Sequence, residues 1–216
     1  PYLIVPNVED FAYEAEVDVR QVRLWAAIHE MLFQRLMEIE WLRGHFVSVV
    51  NAFYETVEFD MSDLMGQMGA LDDPDRIRDL LGEGGASGPA LLQGTSDPDR
   101  LAGVQACTAF IEGYGDFMTR KVGTELLPNL DQIERANSRR RSEPDQAEQY
   151  LQQIVGLELQ RYRAADAADF CVEIEQRWGD QALERVWEQP QNLPTLSELT
   201  DPVGWAARVM MDQFEI

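Results

Sequence analysis

The spacing of apolar residues between Asp18 and Tyr54 is the feature of this chain that most restricts its fold. In two successive segments, large apolar side chains recur three and four positions apart, which places them on one face of an α-helix. These residues are Val22, Leu24, Trp25, Ile28, Leu32 and Leu36, followed by Trp41, Leu42, Phe46, Val49, Val50, Phe53 and Tyr54. The pattern predicts a helix capped by Asp18 and a second helix over residues 38–57.

The remaining segments also favour helices. Residues 2–5 are predicted to form a short strand closed by Pro6, and Asn7 to cap a helix ending near Glu16. Asp97 is predicted to cap a long helix over residues 98–123, and the pair Asp201-Pro202 to begin a last one. Other helices are expected around residues 64 and 77 and near 131–140, 145–162, 166–178, 180–188 and 202–213. The predicted fold class is mainly α, α+β at most, in a single domain over residues 1–216.

Composition and charge restrict the partners of the chain. Its net charge of −21 argues against nucleic acid, because a phosphate backbone would be repelled. The basic cluster Arg139–Arg141 is interpreted as a solvated loop, with an anion or partner contact as the alternative.

No membrane span or export signal is visible, and the two cysteines, Cys107 and Cys171, are expected to be buried free thiols. A cytoplasmic protein is expected, with upstream residues missing because the chain begins at Pro1.

The glycine-rich segment over residues 82–99 is predicted to be a loop. Its glycine spacing fits neither the dinucleotide-binding fingerprint nor the P-loop, and no predicted strand precedes it. A nucleotide site is therefore not expected there.

The stretch "LWAAIHEMLFQRL" contains part of a zinc-protease motif. In that motif two histidines four positions apart share one helix face and bind the ion, while the glutamate beside the first acts as general base. His29 and Glu30 fill the first two positions, but Phe33 stands where the second histidine is needed and cannot bind a metal. From the residues alone, His29 is better interpreted as a core or boundary histidine than as a ligand.

Four further segments make the chain resemble a zincin-like bacterial family of zinc metalloproteases and hydrolases, some of them associated with deazaflavin coenzyme biosynthesis. The family's "RLWVCLHExTH" and "PWLRDH" are similar to the segments at Arg23–Phe33 and Trp41–His45, and its "EGHADVVMD" to "EGYGDFMTR" at Glu112–Arg120. "VPNV" at residues 5–8 and "LPTLSELTDPVGWAARV" at residues 193–209 complete the resemblance. It implies a zincin-like fold, a helical bundle around the His-Glu helix, with zinc as the cofactor of the family.

Two departures from the family pattern bear on that zinc. Phe33 replaces the second motif histidine, and Tyr114 replaces the histidine of the downstream segment. The resemblance then leaves His29 and Glu112 as metal ligands and Glu30 as the catalytic base. The pocket residues expected around them are Phe33, His45, Tyr114, Asp116 and Phe117.

Three functions remain open. The leading hypothesis is a protein of zincin-like hydrolase ancestry without a working zinc site, whose aromatic cleft is packed and whose role is binding or structural. The second is an active metal-dependent hydrolase that uses His29 and acidic ligands, with Glu30 as base. The third is a helical interaction protein with a peptide or protein partner, in which the His-Glu pair is accidental.

Overall fold

The computed structural model of the chain describes residues 3–56, 97–142 and 163–210. Every regular element in these ranges is helical, which confirms the mainly α fold. The α-helices are α1 (Val5–Glu14), α2 (Val19–Met37), α3 (Leu42–Tyr54), α4 (Pro98–Gly123), α5 (Leu130–Ser142), α6 (Arg163–Trp178), α7 (Asp180–Glu184) and α8 (Pro202–Met210). Short 3₁₀ helices cover Arg185–Trp187, Pro190–Asn192 and Glu198–Thr200.

The predicted N-terminal strand is absent from the described residues. Helix α1 begins at Val5, with Pro6 in its first turn, a position that the fixed φ of proline suits. Leu3 and Ile4 precede it without regular structure, and Ile4 is 62% exposed. The apolar run was mistaken for a strand because it is too short to show a helical period, and the described part of the chain offers no strand to pair with it.

Several predicted helix starts are confirmed at the atomic level. The Asp18 side chain accepts a hydrogen bond from the Arg20 backbone N–H at 2.7 Å, and Asp97 accepts from Asp99 in the same way. The carboxylate of Asp201 accepts from Gly204. Each cap satisfies backbone donors that the first turn of a helix leaves free.

Other predicted helix boundaries differ from those in the structure, and some lie outside the described residues. Helix α3 begins at Leu42 rather than residue 38, because a turn over residues 38–41 separates it from α2. The segment Asp180–Trp187 divides into α7 and a 3₁₀ turn. The helices expected near residues 64, 77 and 145–162, and the glycine-rich segment up to residue 96, lie outside the described residues. Cys107 and Cys171 are buried free thiols, as predicted.

Helix α4 is the central element of the core. It packs most extensively against α6 and also contacts α2 and α3. At Gly113, α4 and α6 approach so closely that a methyl group built there would lie 2.4 Å from the backbone oxygen of Ala164. The largest core cluster, around Phe110, Phe170 and Trp205, fills the space between α4, α6 and α8. Among the helices of the described residues, we find no candidate for a membrane-spanning segment.

Candidate functional site

The candidate site lies between helices α2 and α4, which run antiparallel. His29 faces Asp116, Phe33 packs on Gly115, and Leu36 clusters with Ile111 farther back along α4. As the residue numbers increase along α2, the residues that they contact on α4 have decreasing numbers, so the two helices are antiparallel. This arrangement brings the His-Glu helix and the "EGYGDFMTR" segment together, although His29 and Asp116 are 87 positions apart in the sequence.

The His29 imidazole is held within an aromatic stack along α2. Its ring centroid lies 5.6 Å from that of Trp25 and 4.8 Å from that of Phe33, one turn of the helix to either side. The Nε2 atom is buried and has no hydrogen-bond partner within the described part of the chain. It lies 3.7 Å from Asp116 Oδ1, which is within ion-pair range but too long for a hydrogen bond. The ring is thus fixed, and its nitrogen faces a carboxylate.

Phe33 occupies the position where the motif requires a second ligand, and Gly115 provides the space for its ring. A Cβ atom added to Gly115 would lie 2.7 Å from Phe33 Cε2, well inside van der Waals contact. The ring also joins the apolar cluster of Leu36, Leu42 and Ile111. An aromatic side chain therefore packs between the two helices at this point.

Arg141, near the end of α5, forms a two-pronged ion pair with Asp116. Its Nη1 donates to Oδ2 at 2.5 Å and its Nη2 to Oδ1 at 3.2 Å. Burial by itself would raise the pKa of the Asp116 carboxyl, but the contacts with His29 and Arg141 outweigh that effect and hold the pKa below its usual value. Asp116 is therefore ionised and neutralised by a guanidinium.

The lowered pKa of Asp116 predicts a specific acid dependence of stability. A group whose pKa is depressed on folding stabilises the protein above its unfolded-state pKa, about 3.9 for Asp, and loses that contribution as the pH falls through the folded value. We expect the free energy of unfolding of the wild type to exceed that of Asp116→Asn at pH 6, and the gap to narrow steadily below about pH 4. Urea unfolding from pH 6 to pH 2.5 measures it.

Arg141→Met is the matched variant for this measurement, since it removes the other half of the pair. The difference between its free energy of unfolding and that of the wild type should narrow over the same pH range. A gap that stayed constant or widened in acid, in both variants, would show that this ion pair does not stabilise the fold.

Tyr114 and Phe117 lie on α4 and face mainly the core. The Tyr114 ring centroid is 4.9 Å from that of Trp187, in an edge-to-face contact, and it also approaches Phe110 and Phe117. Burial raises the pKa of the Tyr114 phenol above its usual value. Of the residues carried over from the downstream segment, Asp116 is the one whose side chain contacts His29.

The other predicted site residues make no hydrogen bond or ion pair with His29 or Asp116. Glu30 is exposed on α2, and the half-buried Glu112 side chain on α4 makes no hydrogen bond or ion pair with another described residue. His45 lies on α3 with its ring against Trp41, and burial lowers its pKa. The roles predicted for Glu30 as base and Glu112 as ligand stay predictions.

Arg141 was missed as a site residue because the sequence shows only a run of three arginines. In the structure the run is the last turns of α5, and its members project differently: Arg140 pairs with Glu14 of α1, while Arg141 reaches Asp116 of α4. The sequence did offer one signal that the three arginines have different partners, because successive residues of a helix point in different directions around its axis. Three consecutive helical residues cannot share one face, so the run could not be a single solvated patch.

A cleft of about 510 Å³ adjoins the ion pair. Asp116 and Arg141 form part of its wall, beside Trp25 of α2 and Phe117 of α4. Small side chains of α6 complete it on the far side, namely Ala164, Ala165 and Ala168 with Val172. Its size is within the range of small-molecule sites in proteins. Nowhere in the ranges 3–56, 97–142 and 163–210 do three His, Cys, Asp or Glu side chains group as they would around a metal ion.

Comparisons with known proteins agree with this architecture. The family described as "Zincin-like metallopeptidase" matches the chain over residues 1–206. A crystal structure from Chloroflexus aurantiacus, titled as that of a "putative hydrolase with a novel fold", superposes with a TM-score of 0.69 at 25% sequence identity. The match covers 98% of this chain, which spans 58% of the length of that protein. No curated protein matches the chain significantly.

Proposed function

The chain belongs to the zincin-like metallopeptidase family, and we propose that its motif site does not hold a catalytic zinc ion and that it acts by binding rather than by hydrolysis. The observation that carries the proposal is the Phe33 ring, which fills the second ligand position of the motif and packs on Gly115. Hydrolase ancestry agrees with the family and with the description of the Chloroflexus aurantiacus protein as a "putative hydrolase".

The side chains around His29 do not fit the zinc of the family. A catalytic zinc site uses three protein ligands and keeps a fourth position for water. Here one imidazole and one carboxylate face each other, and the carboxylate is already paired with a guanidinium. The buried Nε2 of His29 is a single donor, which is too few to compete for zinc. No catalytic step is therefore derived through a metal ion.

The cleft beside the ion pair supports a binding role. Most of its wall surface is apolar and comes from Trp25, Phe117, Val172 and the α6 alanines. The rest is polar or charged, from Asp116, Thr119, Arg120, Glu134, Asn137, Ser138, Arg141 and Asp169. Concave sites with mostly apolar walls and a few polar groups are the usual form of ligand-binding sites. In this proposal the cleft retains the recognition function of the ancestral active site, while the chemistry has been lost.

Zinc content and a zinc titration test the proposal. We expect the purified wild type to carry well under one zinc ion per chain, and added zinc to leave its melting temperature unchanged. His29→Ala should give the same two results, because a single imidazole does not hold zinc firmly. Elemental analysis measures the zinc content, and thermal unfolding with and without added zinc measures the melting temperature.

The active-hydrolase hypothesis predicts the opposite outcome. Near-stoichiometric zinc that disappears in His29→Ala would overturn the proposed function. Peptidase activity that is lost in Glu30→Gln but not in the neighbouring Met31→Leu would do the same.

A further inference from the structure

We propose that the Arg141 guanidinium is the resident counter-ion of the motif site, paired with Asp116 in place of a metal ion, and that it keeps metal ions out. The inference rests on the proposed loss of zinc and adds to it the residue that excludes cations. It thereby gives Arg141 a role in the site that neither the motif nor the family resemblance assigns.

The geometry of the pair leaves little of the Asp116 carboxylate free. Arg141 contacts both of its oxygens, at 2.5 and 3.2 Å, in the parallel arrangement that suits the planar fork of a guanidinium. His29 Nε2 lies 3.7 Å from Oδ1, the oxygen that also receives Arg141 Nη2. The imidazole nitrogen that would be a metal ligand is thus directed at a carboxylate whose charge is already balanced.

Of the two arginines near Asp116, Arg120 has other acidic partners and Arg141 is the one that pairs with Asp116. Arg120, one turn beyond Asp116 on α4, is engaged by Asp131 and Glu134 of α5. Arg141 makes the reverse connection, from α5 back to Asp116 on α4. Arginine–carboxylate pairs thus join α4 and α5 in both directions. The positive charge that balances Asp116 is therefore a side chain of the neighbouring helix.

This arrangement acts against a metal ion in two ways. The guanidinium uses lone pairs of the carboxylate that a metal ion would need. A divalent ion placed between His29 and Asp116 would also lie close to a fixed positive charge, and the repulsion is strong where side chains are partly buried. The Arg141 side chain is 26% exposed and that of Asp116 30%, so water screens the repulsion only in part.

Rebuilding the second motif ligand provides the test. Phe33→His places an imidazole one helical turn from His29, so that His29, the new imidazole and Asp116 form a set of three donors. Zinc affinity is measured by competition with a chromophoric chelator for Phe33→His alone and combined with Arg141→Met. We expect the double variant to bind one zinc ion at least about tenfold more tightly than the single variant.

Additional variants separate charge from side-chain volume. Phe33→His with Arg141→Lys keeps the positive charge and should bind zinc about as weakly as Phe33→His alone. Phe33→His with Arg141→Gln is a second neutral variant, in case the Met variant does not fold, and should match its tighter binding. Adding His29→Ala to either neutral variant should abolish the gain, which locates the zinc ion in the motif site.

The outcomes distinguish this inference from the proposed function. Equal zinc affinity in Phe33→His with and without Arg141 would overturn the role of Arg141, while a wild type without zinc would leave the proposed function standing. Stoichiometric zinc in the wild type would overturn both. Circular dichroism of each variant establishes that the compared proteins are folded.

Discussion

Replacing Gly113 by alanine is expected to lower the free energy of unfolding by about 3 kcal/mol, the upper end of the usual cost of overpacking. A Cβ atom at this position would lie 2.4 Å from the Ala164 backbone oxygen and 2.7 Å from the Ala168 backbone nitrogen. These atoms belong to α6 and cannot rotate away, so α4 and α6 must separate. Because Ala164 and Ala168 also line the cleft, its shape should change with the same substitution.

Gly103→Ala is the matched control, since it makes the same change in the same helix. Its added methyl group would meet only the Val49 side chain, at an ordinary contact distance of 3.7 Å. Alanine favours a helix over glycine by about 1 kcal/mol, so this variant should be slightly stabilised. Urea unfolding measures both proteins. A Gly113→Ala variant as stable as Gly103→Ala would show that the two helices do not approach as closely as the structure has them.

Gly115→Ala is informative within the same series, because its neighbour is a side chain rather than backbone. The Phe33 side chain can shift, and it can also be replaced by a smaller one. Combining Gly115→Ala with Phe33→Leu should therefore recover much of the lost stability. Failure of the second substitution to compensate would contradict the packing of Phe33 on Gly115.

Truncating Trp205 to alanine is expected to lower the free energy of unfolding by about 3–5 kcal/mol, the range measured for large buried aromatic residues. The Trp205 side chain is fully buried and packs edge-to-face on Phe170, with ring centroids 5.4 Å apart. Its indole N–H donates a 2.8 Å hydrogen bond to the Asn192 carbonyl. Truncation removes the contacts that fasten α8 and the 3₁₀ segment before it to the main core.

Two further tryptophan variants determine which contact matters. Trp205→Phe keeps most of the ring but leaves the Asn192 carbonyl without its donor, which should cost about 1–3 kcal/mol. Trp178→Ala removes an indole that is 36% exposed at the end of α6 and should cost well under the full value for Trp205. Comparable losses at Trp178 and Trp205 would mean that burial of Trp205 is not what stabilises the C-terminal helix.

The helical fold was predictable because its signals are local. Apolar spacing over residues 22–36 indicated α2, and Asp18, Asp97 and Asp201 marked helix starts by their own side-chain chemistry. The first element was wrong, since a short apolar run before Pro6 carries no period that separates a strand from a helix. The turn between α2 and α3 was missed for a similar reason: residues 38–41 contain no glycine or proline to mark a break.

The sequence by itself determined that Phe33 stands in the motif and that a phenyl ring cannot bind a metal, because this depends only on the chemistry of one side chain. Tertiary structure alone decided that Gly115 faces that ring and that Arg141 pairs with Asp116, which lies 25 residues earlier. Such contacts depend on the distance and rotation between packed helices. A helical period shows which face of a helix is apolar, but it leaves open which residue of another helix that face meets.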